Sequence, residues 1–251
     1  MNKQTLHVPA LITGICFFLF SSCYKPPKDF DARDAENVYN GCRINQISTA
    51  GVYSSFTRKF SYNGYNDPVS VTGPLGLVNG GTGNPDLVFK YDNKNRLIEF
   101  AGLYANGGYE YLHHYKYEQN RIIIDTVSYF GTYGGALPPD VAYSYLRYDN
   151  LNRVVQDSFV STRGHSAPLV INYGYDGAGN RVNGGVYDSK LNPHRTNRIW
   201  MFIDRDYSVN NPFFFTAGTY NNSGLPLHVD LNASFLWSYY NGPTDISYDC
   251  K

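Results

Sequence analysis

A nine-residue motif, Leu146-Arg-Tyr148-Asp-Asn-Leu-Asn-Arg-Val154, recurs with variations along the chain and predicts how it folds. Its tyrosine follows stretches in which side chains alternate, as in Leu169-Val-Ile171-Asn-Tyr173-Gly-Tyr175, and a period of two is typical of a β-strand. The Asp and Asn residues that come next suit a tight turn, because they tolerate a left-handed backbone or hydrogen-bond their own main chain. A second β-type run follows, so each motif predicts strand, turn, strand.

Six such units are recognisable from their spacing. Their tyrosines fall at positions 62, 91, 117, 148, 175 and 220. The first four gaps are 29, 26, 31 and 27 residues, and the last gap of 45 residues is long enough to hold an insertion. Regular recurrence at this period predicts an array of similar hairpins.

The composition agrees with a β-rich protein. The chain has 251 residues, of which 24 are Tyr, 15 Phe and 2 Trp, with 17 Asp and 25 Asn but only 4 Glu and 12 Ala. Helices favour Ala and Glu, so a mainly helical protein is excluded. The 21 basic and 21 acidic residues balance, which argues against a nucleic-acid partner.

We therefore predict an all-β fold, in which stacked hairpins form an antiparallel meander that curls into a curved sheet or open barrel. Curling covers the tyrosine-rich face and limits exposed edges. At most one or two short helices are expected. The predicted β domain is a single unit covering residues 41–251.

The motif resembles the YD repeat of RHS-type proteins, and Tyr175-Asp-Gly-Ala-Gly-Asn180 is the stretch most similar to it. The chain as a whole is similar to small YD-repeat-like lipoproteins of the Bacteroidetes group, many of unknown function. The resemblance implies an architecture of repeated hairpins and does not imply a chemistry. It does not carry over the enclosing-shell role of RHS toxins.

The N-terminus reads as an export signal over residues 1–22, with Lys3 followed by an apolar run from Val8 to Phe20. Small residues before Cys23 resemble a lipobox, which would make Cys23 the lipidated first residue. Residues 23–40 would then form a polar tether. This predicts a lipid-anchored protein of the cell envelope, in the outer membrane. The alternative is an ordinary cleaved signal.

Two cysteines remain for the folded domain, Cys42 and Cys250, one near each end. Exported proteins meet oxidising conditions, so we predict a disulfide between them, the alternative being two buried thiols.

Residues 194–207 break the repeat pattern. Ile199, Phe202, Ile203 and Tyr207 have helix-like spacing, and Thr196 is a possible N-cap residue. A short helix here could plug one end of the sheet, and a strand is the alternative.

No catalytic motif is present, and we predict no cofactor, no metal site and no catalytic residue. Candidate binding residues lie in the pattern-breaking segment and in one loop: Trp200, Asp204, Arg205, Tyr207, Tyr129, Phe130 and Tyr133. Tyrosine rings with polar tips suit sugar or protein recognition.

Three functions remain open from the sequence. The first is a non-enzymatic scaffold that binds a glycan or another envelope protein. The second is a glycan-active hydrolase using Asp204 and Asp206 as paired carboxylates. The third is a purely structural envelope protein without a ligand.

Overall fold

The structure is a computed structural model that describes residues 31–50, 55–73, 85–136, 140–163, 167–212, 219–235 and 238–251. The predicted signal peptide, Cys23 and residues 23–30 of the predicted tether lie outside these ranges. The described part contains fifteen strands: β1 (Cys42–Ala50), β2 (Ser55–Tyr62), β3 (Pro68–Thr72), β4 (Asp86–Tyr91), β5 (Leu97–Leu103), β6 (Gly108–Glu118), β7 (Arg121–Thr132), β8 (Val141–Tyr148), β9 (Val154–Ser161), β10 (Leu169–Asn172), β11 (Tyr187–Leu191), β12 (Asn210–Pro212), β13 (Thr219–Tyr220), β14 (Pro226–Phe235) and β15 (Ser238–Cys250).

Thirteen of these strands form one antiparallel sheet with the order β10-β9-β8-β7-β6-β5-β4-β3-β2-β1-β15-β14-β13, and β11 pairs with β12. Neighbours in the sheet are therefore neighbours in the chain, except that the first strand pairs with the last. The sheet is curved and ends at two open edges, β10 and β13. The predicted all-β meander is confirmed, in its curved-sheet form rather than as a closed barrel.

Five turns share one construction, and we call each a tyrosine turn. They follow Tyr62, Tyr91, Tyr148, Tyr175 and Tyr220. In each turn the Oδ1 atom of the next residue accepts hydrogen bonds from the backbone N–H groups two and four residues further on; these acceptors are Asn63, Asp92, Asp149, Asp176 and Asn221.

The fourth residue after each of these tyrosines has a left-handed backbone, with φ between 57° and 88°; these residues are Asn66, Asn95, Asn152, Gly179 and Gly224. Only Gly, Asn and Asp adopt this conformation readily. The Asn and Gly residues of the motif are therefore explained by backbone geometry.

The motif tyrosines also connect one hairpin to the next. Tyr220 donates its hydroxyl to Asp188 Oδ2. The hydroxyls of the other five, and that of Tyr248, donate to a carbonyl at or near the start of a strand in the neighbouring unit: Tyr62 to Ile44, Tyr91 to Pro68, Tyr117 to Leu97, Tyr148 to Ile122, Tyr175 to Val154 and Tyr248 to Pro226. We call this series the tyrosine ladder. Each bond joins a tyrosine of one unit to a backbone carbonyl of its neighbour at the rim of the core, and it satisfies that carbonyl. The ladder therefore fixes the spacing between units.

The motif arginines cover the ladder. The guanidinium carbon of Arg96 lies 4.7 Å from the ring centre of Tyr117, and that of Arg153 lies 4.1 Å from the ring centre of Tyr175. Arg121 covers Tyr148 in the same way at 5.6 Å. Each cation therefore stacks on the tyrosine of the following unit, an arrangement that is favourable by cation–π attraction.

The first and last strands of the described chain, β1 and β15, pair with each other. A disulfide joins Cys42 to Cys250, which confirms that prediction. Beside it Ile44 pairs with Tyr248 and Arg43 with Asp249.

One short helix, α1 (Arg198–Asp204), packs on the inner face of the sheet and follows a 3-10 turn at Pro193–Thr196. The predicted helix is thus confirmed, but its N-cap is Asn197, whose side chain accepts from the Ile199 N–H, and not Thr196. Thr196 instead donates its hydroxyl to the Pro193 carbonyl. Residues Ile199 to Ile203 are all buried, so the helix fills the concavity of the sheet.

Candidate functional site

The turn between β6 and β7 is shorter than its neighbours. Only Gln119 and Asn120 connect these strands, whereas residues 92–96 connect β4 to β5 and residues 149–153 connect β8 to β9. Gln119 takes the left-handed backbone here, with φ 54°. A groove with a volume of about 750 Å³ opens at this end of the sheet and is lined by all three turns.

The floor of the groove is apolar. It is formed by Leu97 and Ile122 from the sheet and by Ile199 and Phe202 from α1, all of them buried. Tyr207, which follows the helix, also contributes and is 3% exposed. The helix and the turns therefore form opposite walls over a hydrophobic base, which is the usual construction of a small-molecule site.

The rim of the groove is polar and mainly cationic. It carries the amides Asn95, Gln119, Asn120 and Asn152, the cations Lys94, Arg96, Arg121 and Arg198, and one carboxylate, Glu36. Arg96 is paired with Asp92 at 2.7 Å, and Arg198 lies 3.6 Å from Asp67. Lys94 and Arg121 have no carboxylate partner among the described residues.

Arg121 is held in place without being neutralised. Its Nε and Nη2 atoms donate to Asn152 Oδ1 at 3.1 and 2.6 Å, and its guanidinium stacks on Tyr148. The Asn152 amide is neutral, so the positive charge remains available to a ligand.

Tyr117 joins the groove to the ladder. Burial raises the pKa of Tyr117 to about 12, against the opposing influence of Arg198 and Arg96. The phenol is therefore neutral at physiological pH and keeps its hydrogen bond to the Leu97 carbonyl at 3.0 Å.

Two of the residues predicted to bind ligand lie inside the protein. Trp200 is fully buried, and its ring meets Phe60 and Phe89 edge-on, with centroid distances of 5.6 Å in both cases. It has no exposed surface to offer a ligand and instead anchors α1 to β2 and β4. Tyr207 reaches the groove only as part of its floor.

Arg205 is occupied in a buried ion-pair network. It follows α1 with a left-handed backbone, φ 51°, and its Nη2 lies 3.1 Å from Asp125 Oδ2. Asp125 also contacts His113 Nδ1 at 2.8 Å. Burial disfavours the charged form of Asp125, but His113 and Arg205 outweigh it and lower the pKa of that carboxyl. The network fixes the end of the helix to β6 and β7.

Asp204 and Asp206 both face one histidine. His194 Nε2 lies 2.7 Å from Asp204 Oδ2, and its Nδ1 lies 2.9 Å from Asn192 Oδ1 and 3.6 Å from Asp206 Oδ2. Asp206 also accepts from the Ser208 N–H and from the Asn192 side chain. Neither carboxylate lines the groove.

The three aromatic residues predicted to bind ligand near the end of β7 differ in their exposure. Tyr129 and Phe130 are 44% and 64% exposed, and Phe130 has φ 52°, a conformation that bulky residues rarely adopt. Tyr133 instead donates to Glu99 and lies under the Lys90 ammonium at 4.7 Å. Tyr129 and Phe130 therefore offer an aromatic surface, while Tyr133 is engaged within the protein.

The groove was not recognised from the sequence, because its lining comes from five separate segments of the chain. One signal was visible in the sequence: the motif arginine follows Tyr117 by four residues, at Arg121, but follows Tyr91 and Tyr148 by five residues. A shortened unit between two full ones marks the recess.

Among the described residues, no group of three or more His, Cys, Asp or Glu side chains could hold a metal ion. No helix in the described ranges is both long enough and apolar enough to span a membrane.

No family model matches this sequence, and no curated protein is significantly similar to it.

Proposed function

We propose that the protein is a lipid-anchored envelope protein that binds a glycan in the groove between α1 and the turns at residues 92–96, 119–120 and 149–153. The observation that carries the proposal is the groove itself, with its apolar floor and its rim of amides and guanidiniums. Apolar surface suits the flat carbon face of a sugar ring, and amides donate to and accept from hydroxyl groups.

Binding is favoured over hydrolysis because of where the carboxylates lie. Asp204 and Asp206 flank the buried His194 instead of facing open space. A hydrolytic pair must face the scissile bond from within a cleft. This arrangement supports a structural role for both residues.

The proposed site is tested by filling it. In Asn120→Trp an indole would occupy the recess at an exposed turn position whose own side chain makes no hydrogen bond within the described structure. Asn150→Trp is the matched control, since Asn150 is exposed in the neighbouring turn and does not line the groove.

We expect full-length protein in detergent to retain glycans from a broad oligosaccharide array. Asn120→Trp should abolish this retention and Asn150→Trp should preserve it. Equal retention by both variants would refute the groove as the binding site. Co-purification of an envelope protein that is lost only in Asn120→Trp would replace the glycan with a protein partner, and retention of nothing would favour a purely structural role.

The proposed anchor rests on the residues before Cys23 and has its own test. Cells fed a labelled fatty acid should incorporate it into the wild-type chain and not into Cys23→Ala. Recovery of the wild-type protein in the outer-membrane fraction, and the absence of Cys23→Ala from that fraction, would support the proposed location. Incorporation into Cys23→Ala would contradict lipidation at this residue.

A further inference from the structure

We infer that the groove selects acidic sugars, so that its ligand is an oligosaccharide bearing a carboxylate. This inference deepens the proposed function and rests on it.

The charges on the rim are unequal. Four cations and one carboxylate line the groove. Even after Arg96 is paired with Asp92 and Arg198 with Asp67, the two remaining cations Lys94 and Arg121 outnumber Glu36. A neutral sugar gains nothing from this excess, whereas a carboxylate gains charge-assisted hydrogen bonds.

Arg121 is the residue best prepared to receive a carboxylate. The contacts with Asn152 and Tyr148 fix its orientation through one edge of the guanidinium, and its Nη1 atom makes no hydrogen bond within the described structure. A planar donor that is already oriented loses less side-chain freedom when it binds an anion.

Arg198 and Lys94 complete the cationic side of the rim. Arg198 is the first residue of α1, its side chain is 47% exposed, and its contact with Asp67 is long at 3.6 Å. Its Nη2 atom also lies 3.3 Å from the Asn95 carbonyl, which directs the side chain to the turn that carries Lys94. Together with Arg121, these cations come from both walls of the groove.

Removing the charge of Glu36 should change the affinity in the opposite direction to removing a cation. It is the only carboxylate on the lining, it is exposed, and it has no ion-pair partner among the described residues. If the ligand is anionic, Glu36 repels it, and removing this charge should improve binding.

The experiment is isothermal titration calorimetry of the full-length protein in detergent with a panel of uronic acid trisaccharides, each beside its methyl ester. The ester keeps the hydroxyl groups and ring shape and removes the charge. At least one acid should bind about tenfold or more tightly than its ester, and added salt should weaken only the acid. Arg121→Gln should weaken the acid about fivefold or more, and Glu36→Gln should strengthen it.

Lys116→Gln is the charge-matched control, because Lys116 is exposed on β6 and does not line the groove. It should leave both affinities unchanged. The inference is overturned if acid and ester bind equally, if no acid in the panel binds, or if Lys116→Gln acts like Arg121→Gln. Equal binding that Asn120→Trp abolishes would leave the proposed glycan site standing and remove only the acid preference.

Discussion

Arg43 in the first strand and Asp249 in the last face each other across the β1–β15 pair, with Arg43 Nη2 3.4 Å from Asp249 Oδ2. Arg96 and Asp92 make the same pair within one tyrosine turn, as do Arg153 and Asp149, both at 2.7 Å. Tyr248 pairs with Ile44 as Tyr91 pairs with Leu97. The start of β1 and the end of β15 are therefore the two halves of one unit, and the Cys42–Cys250 disulfide stands where the other units have a covalent turn.

This relationship explains how the tyrosine ladder crosses the junction without interruption. The Tyr248 hydroxyl donates to the Pro226 carbonyl, and the Tyr62 hydroxyl donates to the Ile44 carbonyl on the other side of the disulfide. The thirteen-stranded sheet is therefore continuous across the point where β1 and β15, the first and last strands in chain order, lie side by side.

Removing one rung of the ladder should lower stability modestly. In Tyr91→Phe the hydroxyl that donates to the Pro68 carbonyl at 2.7 Å is lost, and we expect the free energy of unfolding to fall by about 1–2 kcal/mol. Chemical denaturation measures the change. Tyr65→Phe is the control, because Tyr65 is 77% exposed, and an equal loss there would contradict a specific role for the ladder.

The tyrosine turns should need an acceptor oxygen and not a charge. Asp176 Oδ1 accepts from the N–H groups of Ala178 and Asn180, and its carboxylate forms no ion pair within the described residues. Asp176→Asn should therefore change the free energy of unfolding by less than about 0.5 kcal/mol, while Asp176→Ala should lower it by about 1 kcal/mol. Equal losses in the two variants, measured by thermal unfolding, would show that the charge matters instead.

His194 should make stability depend on pH. Burial alone would lower its pKa, but the hydrogen bond to Asp204 and the charges of Asp204 and Asp206 outweigh burial and raise the pKa above its ordinary value. A raised folded-state pKa contributes stability that is fully present below about pH 6.5 and is lost as the pH rises through the folded-state value.

Denaturation curves from pH 5 to pH 9 should therefore show the wild type losing stability relative to His194→Gln as the pH rises. At pH 5 the variant should be less stable by about 1–3 kcal/mol, because it lacks the buried charged hydrogen bond. A difference between the two proteins that stays constant across this range would mean that His194 does not titrate there.

The sequence was sufficient for the repeated elements and insufficient for what lies between them. Asp92, Asp149 and Asp176 were interpretable because a turn acceptor acts on its own near neighbours. Trp200 was misleading as a binding residue, since an aromatic ring beside charged residues looks the same whether it faces solvent or Phe60. The groove depends on Glu36, Arg121 and Arg198, which are far apart in the chain and meet only after the sheet has curved around α1.

The resemblance to YD-repeat lipoproteins remains a prediction, because neither comparison bears on it. The units seen in the structure agree with the hairpin architecture that it implied.

The proposal that β1 and β15 form one unit closed by a disulfide is tested most directly by native-state hydrogen exchange of a Cys42→Ser/Cys250→Ser double variant. With the disulfide intact, amides in the β1–β15 pair should have opening free energies similar to those in the β8–β9 pair, whose strands are joined by a covalent turn. Without the disulfide nothing covalent holds β1 to β15, so this pair should open at a free energy about 2 kcal/mol or more below that of β8–β9. Equal opening free energies for the two pairs in the double variant would contradict the account.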